Sequence, residues 1–294
     1  MRFSSCYLKA VLITTSILGC TFVRLPAEAA TFADSEASLR IEEFSILPQD
    51  SNADSARNAL AFTGNNDSVA NSNADGILEF VVDRDNTFLN LDFASDASGN
   101  GSNYFSIGQN DAFASSTFFV DRNEVLIFDF TVSLTLENII DDELNGSINT
   151  FSGVSFALFD DTNNIFIGDF RAIGNLDTNL ADGINNDTIF AESNLNFTID
   201  TFNDEQIFEG DLAEASQDSD REFTSIDLTG SIQQSFTVPT QVSLQASLFN
   251  LSCTQAPQTS DPCTKTAVPE SNNAVGLLLS FLGISLFHKK QKIK

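Results

Sequence analysis

Apolar and polar positions alternate with a period of two along much of the stretch between Thr31 and Ala267. Leu126, Phe128, Phe130, Val132, Leu134 and Leu136 form an unbroken row, with Asp129, Thr131, Ser133 and Thr135 set between them. Successive side chains of a strand point to opposite faces, so this row predicts a long half-buried strand. Shorter rows of the same kind are Leu78-Phe80-Val82, Phe88 to Phe93, Val154-Phe156-Leu158, Ile165 to Phe170, Leu195-Phe197-Ile199 and Val242-Leu244-Ala246-Leu248. No apolar pattern of helical period stands out in this stretch. Asn, Asp and Gly punctuate it, as in Gly64-Asn65-Asn66-Asp67, Ser98-Gly99-Asn100-Gly101 and Asp182-Gly183-Ile184-Asn185-Asn186-Asp187. These residues tolerate positive φ or bond their own backbone, so they form turns. Many half-buried strands joined by polar turns predict an all-β fold, an antiparallel β-sandwich or jelly-roll-like single domain. The pauses at Asp50–Asn58, Leu176–Asp187 and Glu209–Asp220 are expected to be surface loops. No fixed-period repeat and no Pro-rich linker divides the domain before Cys253.

The two ends follow different rules. Arg2 and Lys9 precede an apolar run from Ala10 to Val23, and Ala27-Glu28-Ala29 is a small-x-small cleavage site. This order is that of a secretory signal helix cut after Ala29 by signal peptidase. Ile17-Leu18-Gly19-Cys20 offers a second reading, in which Cys20 is lipidated in the manner of a bacterial lipoprotein. At the other end stand Val268-Pro269-Glu270, an apolar run from Ala274 to Phe287, and the basic segment His288 to Lys294. The run has 14 residues. As a helix it would span only about 21 Å at about 1.5 Å per residue, against a bilayer core of about 30 Å. It suits a transient anchor, with its basic end held on the cytoplasmic side. The expected organisation is a signal peptide over 1–29, a sandwich domain over 30–252, a stalk over 253–267 and a tail over 268–294.

This arrangement resembles the bacterial PEP-CTERM proteins: signal, globular middle, Val-Pro-Glu, short apolar helix and terminal basic cluster. Where that family's pattern continues with Pro, this chain has Ser271. The likeness covers Val268 to Lys294. It implies that Val268, Pro269 and Glu270 belong to a sorting signal, processed by an exosortase-type membrane enzyme. It also implies a place at the cell surface, in the envelope or in an extracellular matrix, with extracellular polysaccharide as an associated partner. The middle domain's activity is not implied, because very different domains carry this tail.

Charge narrows the partners. Of 14 basic and 41 acidic residues, residues 1–29 hold three and one, and residues 268–294 hold four and one. The middle therefore keeps 7 basic and 39 acidic residues, a net charge of −32. Such a surface repels phosphate backbones, so nucleic acid is excluded as a partner. Membrane contact is expected only through the terminal segments. Cys253 and Cys263 are the only cysteines of the middle and stand ten positions apart. In an oxidising compartment this spacing predicts a small disulfide loop.

Catalytic constellations are sparse. The single His, His288, lies in the tail, which removes Ser-His-Asp and Cys-His arrangements and most zinc hydrolases. No phosphate-cradling Gly loop or Gly-x-Ser-x-Gly elbow is present. The expectation is a non-enzymatic exported protein. The alternative is a glycan-binding or carboxylate-based glycan-acting sandwich, which needs only a suitable pair of carboxylates. The chain has no Trp, and Tyr104 is the only Tyr of the middle, so aromatic platforms for sugar are few. No cofactor is required. Calcium is the ion that the available oxygens suit best, with Asp177, Asn179, Asp182 and Asp187 as candidate ligands in one loop. Asn71-Ser-Asn73-Ala-Asp75-Gly76 imitates an EF-hand opening, but its twelfth position is Val82 rather than Glu, which rejects that reading.

Overall fold

The computed structural model describes residues 31–83, 86–140, 146–179, 187–195, 197–208, 220–256 and 263. Twelve strands run through them: β1 (Thr31–Glu42), β2 (Asp50–Thr63), β3 (Val69–Val81), β4 (Phe88–Asn100), β5 (Tyr104–Val120), β6 (Val125–Ile140), β7 (Ser147–Asp160), β8 (Ile165–Asn179), β9 (Thr188–Ser193), β10 (Phe197–Phe208), β11 (Asp220–Ser235) and β12 (Thr240–Ala256). Six form sheet A in the order β10-β11-β6-β1-β4-β3, and six form sheet B in the order β2-β5-β12-β7-β8-β9. Every neighbouring pair is antiparallel. The all-β, two-sheet architecture expected from the alternation is therefore present. The signal helix and the apolar tail helix both fall outside the described residues.

The inward face changes character along the strands. At one end it is apolar: Leu39, Ile41, Leu91, Phe93, Phe118, Phe128, Phe130, Phe156 and Leu244 are buried in one continuous cluster. Phe128, Phe130, Phe156 and Phe170 carry its centre, with ring centroids 5.1 to 5.9 Å apart. Phe is the only abundant large aromatic, so edge and stacked pairs of this kind fill the layer. At the other end the inward positions are small and polar. Thr31 and Ser35 on β1, Ser95 on β4, Asn138 on β6, Thr150 and Ser152 on β7, and Asn250, Ser252 and Thr254 on β12 are all buried.

Small side chains let the two sheets approach closely there, and side chains of one sheet reach carbonyls of the other. Asn250 Nδ2 donates to the Phe93 carbonyl at 2.6 Å, and Ser252 Oγ donates to the Ser95 carbonyl at 2.8 Å. Ser35 Oγ donates to the Phe151 carbonyl at 3.1 Å, and Asn110 Nδ2 to the Ala94 carbonyl at 2.7 Å. Gly108 marks one close approach of backbone to backbone: a Cβ there would lie 2.2 Å from the Asn73 carbonyl oxygen and 2.8 Å from that of Asp96. Polar groups taken from water must find partners, and here they find them across the layer.

Several sequence expectations need correction. Asp50–Asn58 is not a loop. It is the first part of β2, paired with β5 from Asp50↔Thr117 to Thr63↔Tyr104. β2 is an edge strand exposed on nearly its whole length, so its side chains carry no apolar alternation. Leu176–Asn179 belongs to β8, and residues 180–186 of that expected loop lie outside the described residues. Leu195 precedes β10, which starts at Phe197. Asn71–Gly76 lies within β3, in keeping with its rejection as an ion-binding loop. β12 runs to Ala256, past the expected domain end at 252, so Cys253 is a sheet residue and not the start of a stalk. The reason is the same in β12 as in β1: the strand continues where its inward residues stop being apolar.

Candidate functional site

Acidic side chains gather on the outward face of sheet A. Asp34 on β1 stands opposite Asp96 on β4 and opposite Glu137 on β6. Opposed residues of antiparallel strands bring Cβ atoms to about 5 Å. Glu36 follows two residues along on the same face. Burial pushes the Asp34 carboxyl up to about 7, and the charges of Glu36, Asp96 and Glu137 add to the effect, against an opposing hydrogen bond from the Ser35 backbone. Burial also raises Asp96, while a hydrogen bond with the Asn73 side chain opposes the rise. Glu137 accepts a hydrogen bond from Arg221 Nε on the neighbouring β11. The arrangement favours holding a proton at Asp34. Among the described residues no group of three or more His, Cys, Asp or Glu is placed to hold a metal ion.

Of the calcium candidates, the described residues bring Asp177 and Asp187 together where β8 ends and β9 begins. Asp177 and Asn179 lie in β8, Asp187 lies just before β9, and Asp182 falls outside the described residues. Asp187 Oδ1 accepts a hydrogen bond from the Asp177 N–H at 2.9 Å, which ties the end of β8 to the start of β9. That carboxylate thus has a backbone-closing task of its own.

Cys253 and Cys263 are disulfide-bonded, with Cα atoms 5.6 Å apart. Both are buried. The sequence places this bond in a stalk outside the domain. Anchored in β12, it is expected to matter more: reduction should lower stability by about 3 kcal/mol in the chain-entropy model for a loop of this length. Thermal melts with and without reductant check this, and an unchanged melting temperature would contradict it.

Tyr104, the single aromatic hydroxyl of the domain, is buried with its OH 2.6 Å from Thr31 Oγ1. Burial pushes it up to about 12. It is a core residue and offers no face to a sugar. Ala27, Ala29, Val268, Pro269 and Glu270 lie outside the described residues. The carboxylate row was missed in the sequence because its members are far apart in the chain, and only strand register joins them.

The described residues define an antiparallel β-sandwich with an acidic outer surface and a disulfide at its C-terminal strand. No protein-family model, curated protein or solved structure matches the chain.

Proposed function

We propose that this chain is a non-enzymatic, exported surface or matrix protein whose C-terminal segment is a sorting signal removed at the membrane. The observation that carries the reading is the order Val268-Pro269-Glu270, apolar run Ala274–Phe287, basic segment His288–Lys294. The apolar run is short for a permanent span, and the basic end is placed to stop translocation. An exosortase-type enzyme is the processing partner, and signal peptidase removes residues 1–29. The net charge of the middle keeps an exported domain soluble and separate. A disulfide suits an oxidising compartment. The burial of Tyr104 removes the one aromatic hydroxyl of the domain as a surface for sugar stacking.

The test is substitution of the motif in the native host. Pro269→Ala or Glu270→Ala is expected to trap a longer, membrane-bound form, read by fractionation and immunoblotting. Deleting Lys289–Lys294 is expected to weaken retention during export. An unchanged size and location for both point variants would reduce the tail to a simple anchor.

A further inference from the structure

The outward face of sheet B carries an apolar patch that is buried although it faces away from sheet A. Leu251 on β12 stands opposite Phe151 on β7, and Phe249 follows on the same face with its ring 5.5 Å from that of Phe151. Ile173 on β8 is opposite Phe190 on β9, and Ile107 on β5 is opposite Cys253. These residues have the opposite parity to Val154, Phe156 and Leu248, which fill the interior, and they form a cluster of their own. Leu251 is 1% exposed, Cys253 0%, Phe151 6% and Ile173 7%. Further along the same face of β12, Ser243, Gln245 and Ser247 are only half-buried. No described strand overlies this face, because the two sheets account for all twelve. Burial also raises the carboxyl of Asp111, opposite Phe249, against a hydrogen bond from Gln109.

The disulfide indicates what covers the patch. Cys263, itself 1% exposed, is bonded to Cys253 within it, so the chain that leaves β12 at Ala256 is back on this face by residue 263. Residues 264–294 therefore start there. From Ile107 on β5 to Phe190 on β9 the patch crosses four strand spacings, about 19 Å at the usual separation. The apolar run Ala274–Phe287 as a helix is about 21 Å long. The ten residues 264–273 reach up to about 33 Å when extended, enough to lay the run across the strands.

We propose that Ala274–Phe287 docks on the outward face of sheet B, so that the domain shelters its own apolar tail in water. The patch and a bilayer then compete for one segment, and transfer to the membrane uncovers Phe249, Phe151 and Ile173. This inference rests on burial and the disulfide, and it holds whether or not the tail is later cut.

The experiment uses the full chain in detergent-free buffer, with a photo-reactive amino acid in place of Leu279. Irradiation is expected to give adducts within 147–160, 165–179 and 242–256, read by mass spectrometry of peptides. Leu277→Asp with Leu282→Asp, which leaves the domain untouched, is expected to abolish those adducts and to raise binding of an apolar fluorescent dye. Adducts on β1, β4 or β6, or none at all, would overturn the proposal. So would adducts on sheet B from a probe at Leu12 with none from Leu279, since the occupant would then be the N-terminal segment.

Discussion

Asn250→Ala is expected to lower the stability of the sandwich by about 3 kcal/mol. Asn250 is fully buried on β12 and ties four strands together. Its Nδ2 donates to the Phe93 carbonyl on β4 at 2.6 Å and lies 3.4 Å from the Ser35 carbonyl on β1. Its Oδ1 accepts from Ser152 Oγ on β7 at 2.7 Å. Truncation removes the shared partner of three groups in a layer with little access to water, and a buried group left without its bond costs about 1–3 kcal/mol. The vacated volume adds a cavity term. Asn250→Leu separates the two contributions. Leu restores the volume but none of the three bonds, so it should not rescue the domain. Urea midpoints at unchanged slope give the measurement. A fully stable Asn250→Leu would mean that volume alone matters at this position.

Asp34→Asn should do the opposite and stabilise the protein at neutral and alkaline pH. Folding raises the Asp34 carboxyl from 3.8 to about 7. The native state therefore prefers its protonated form. Its contribution to stability is fully present below the unfolded value of 3.8 and is lost as pH rises through 7. One pKa unit corresponds to about 1.4 kcal/mol. Allowing for partial exposure, the loss by pH 8 is about 3 kcal/mol. Asn keeps the neutral shape and escapes the loss. The variant should match the native chain near pH 3.5 and exceed it increasingly up to pH 8, by roughly 5–10 °C in melting temperature. Glu36, Asp96 and Glu137 raise Asp34 further, and among the described residues Arg221 pairs with Glu137 rather than with Asp34. Equal melting temperatures at pH 8 would show that Asp34 ionises freely in the folded state.

Both sites illustrate where the sequence stops being legible. β6 could be read directly because Leu126 to Leu136 places an apolar side chain at every inward position. β12 could be read through Leu248, but Asn250, Ser252 and Thr254 continue the inward face with polar atoms, and the strand then resembles a linker. β1 and β5 are hidden for the same reason: Thr31, Ala33 and Ser35, and Ser106, Gly108 and Asn110, point inward without an apolar signal. Polar inward residues work only because the sheets lie close enough for cross-layer bonds, and that spacing is a tertiary property. Residues 34, 96 and 137 meet through register across three strands, which no local pattern encodes. The cysteine pair was legible because the middle offers no other partner for either thiol. The calcium reading treated Asp177 and Asn179 as loop residues, whereas backbone pairing with β7 keeps them in a strand.

The central claim is that this domain reaches the cell surface without its tail. The intact mass of the protein recovered from the surface of its native host tests it most directly. The account predicts a chain that begins at Ala30, retains Cys263 in its disulfide and ends before Ala274. A surface form whose mass extends to Lys294 would contradict it.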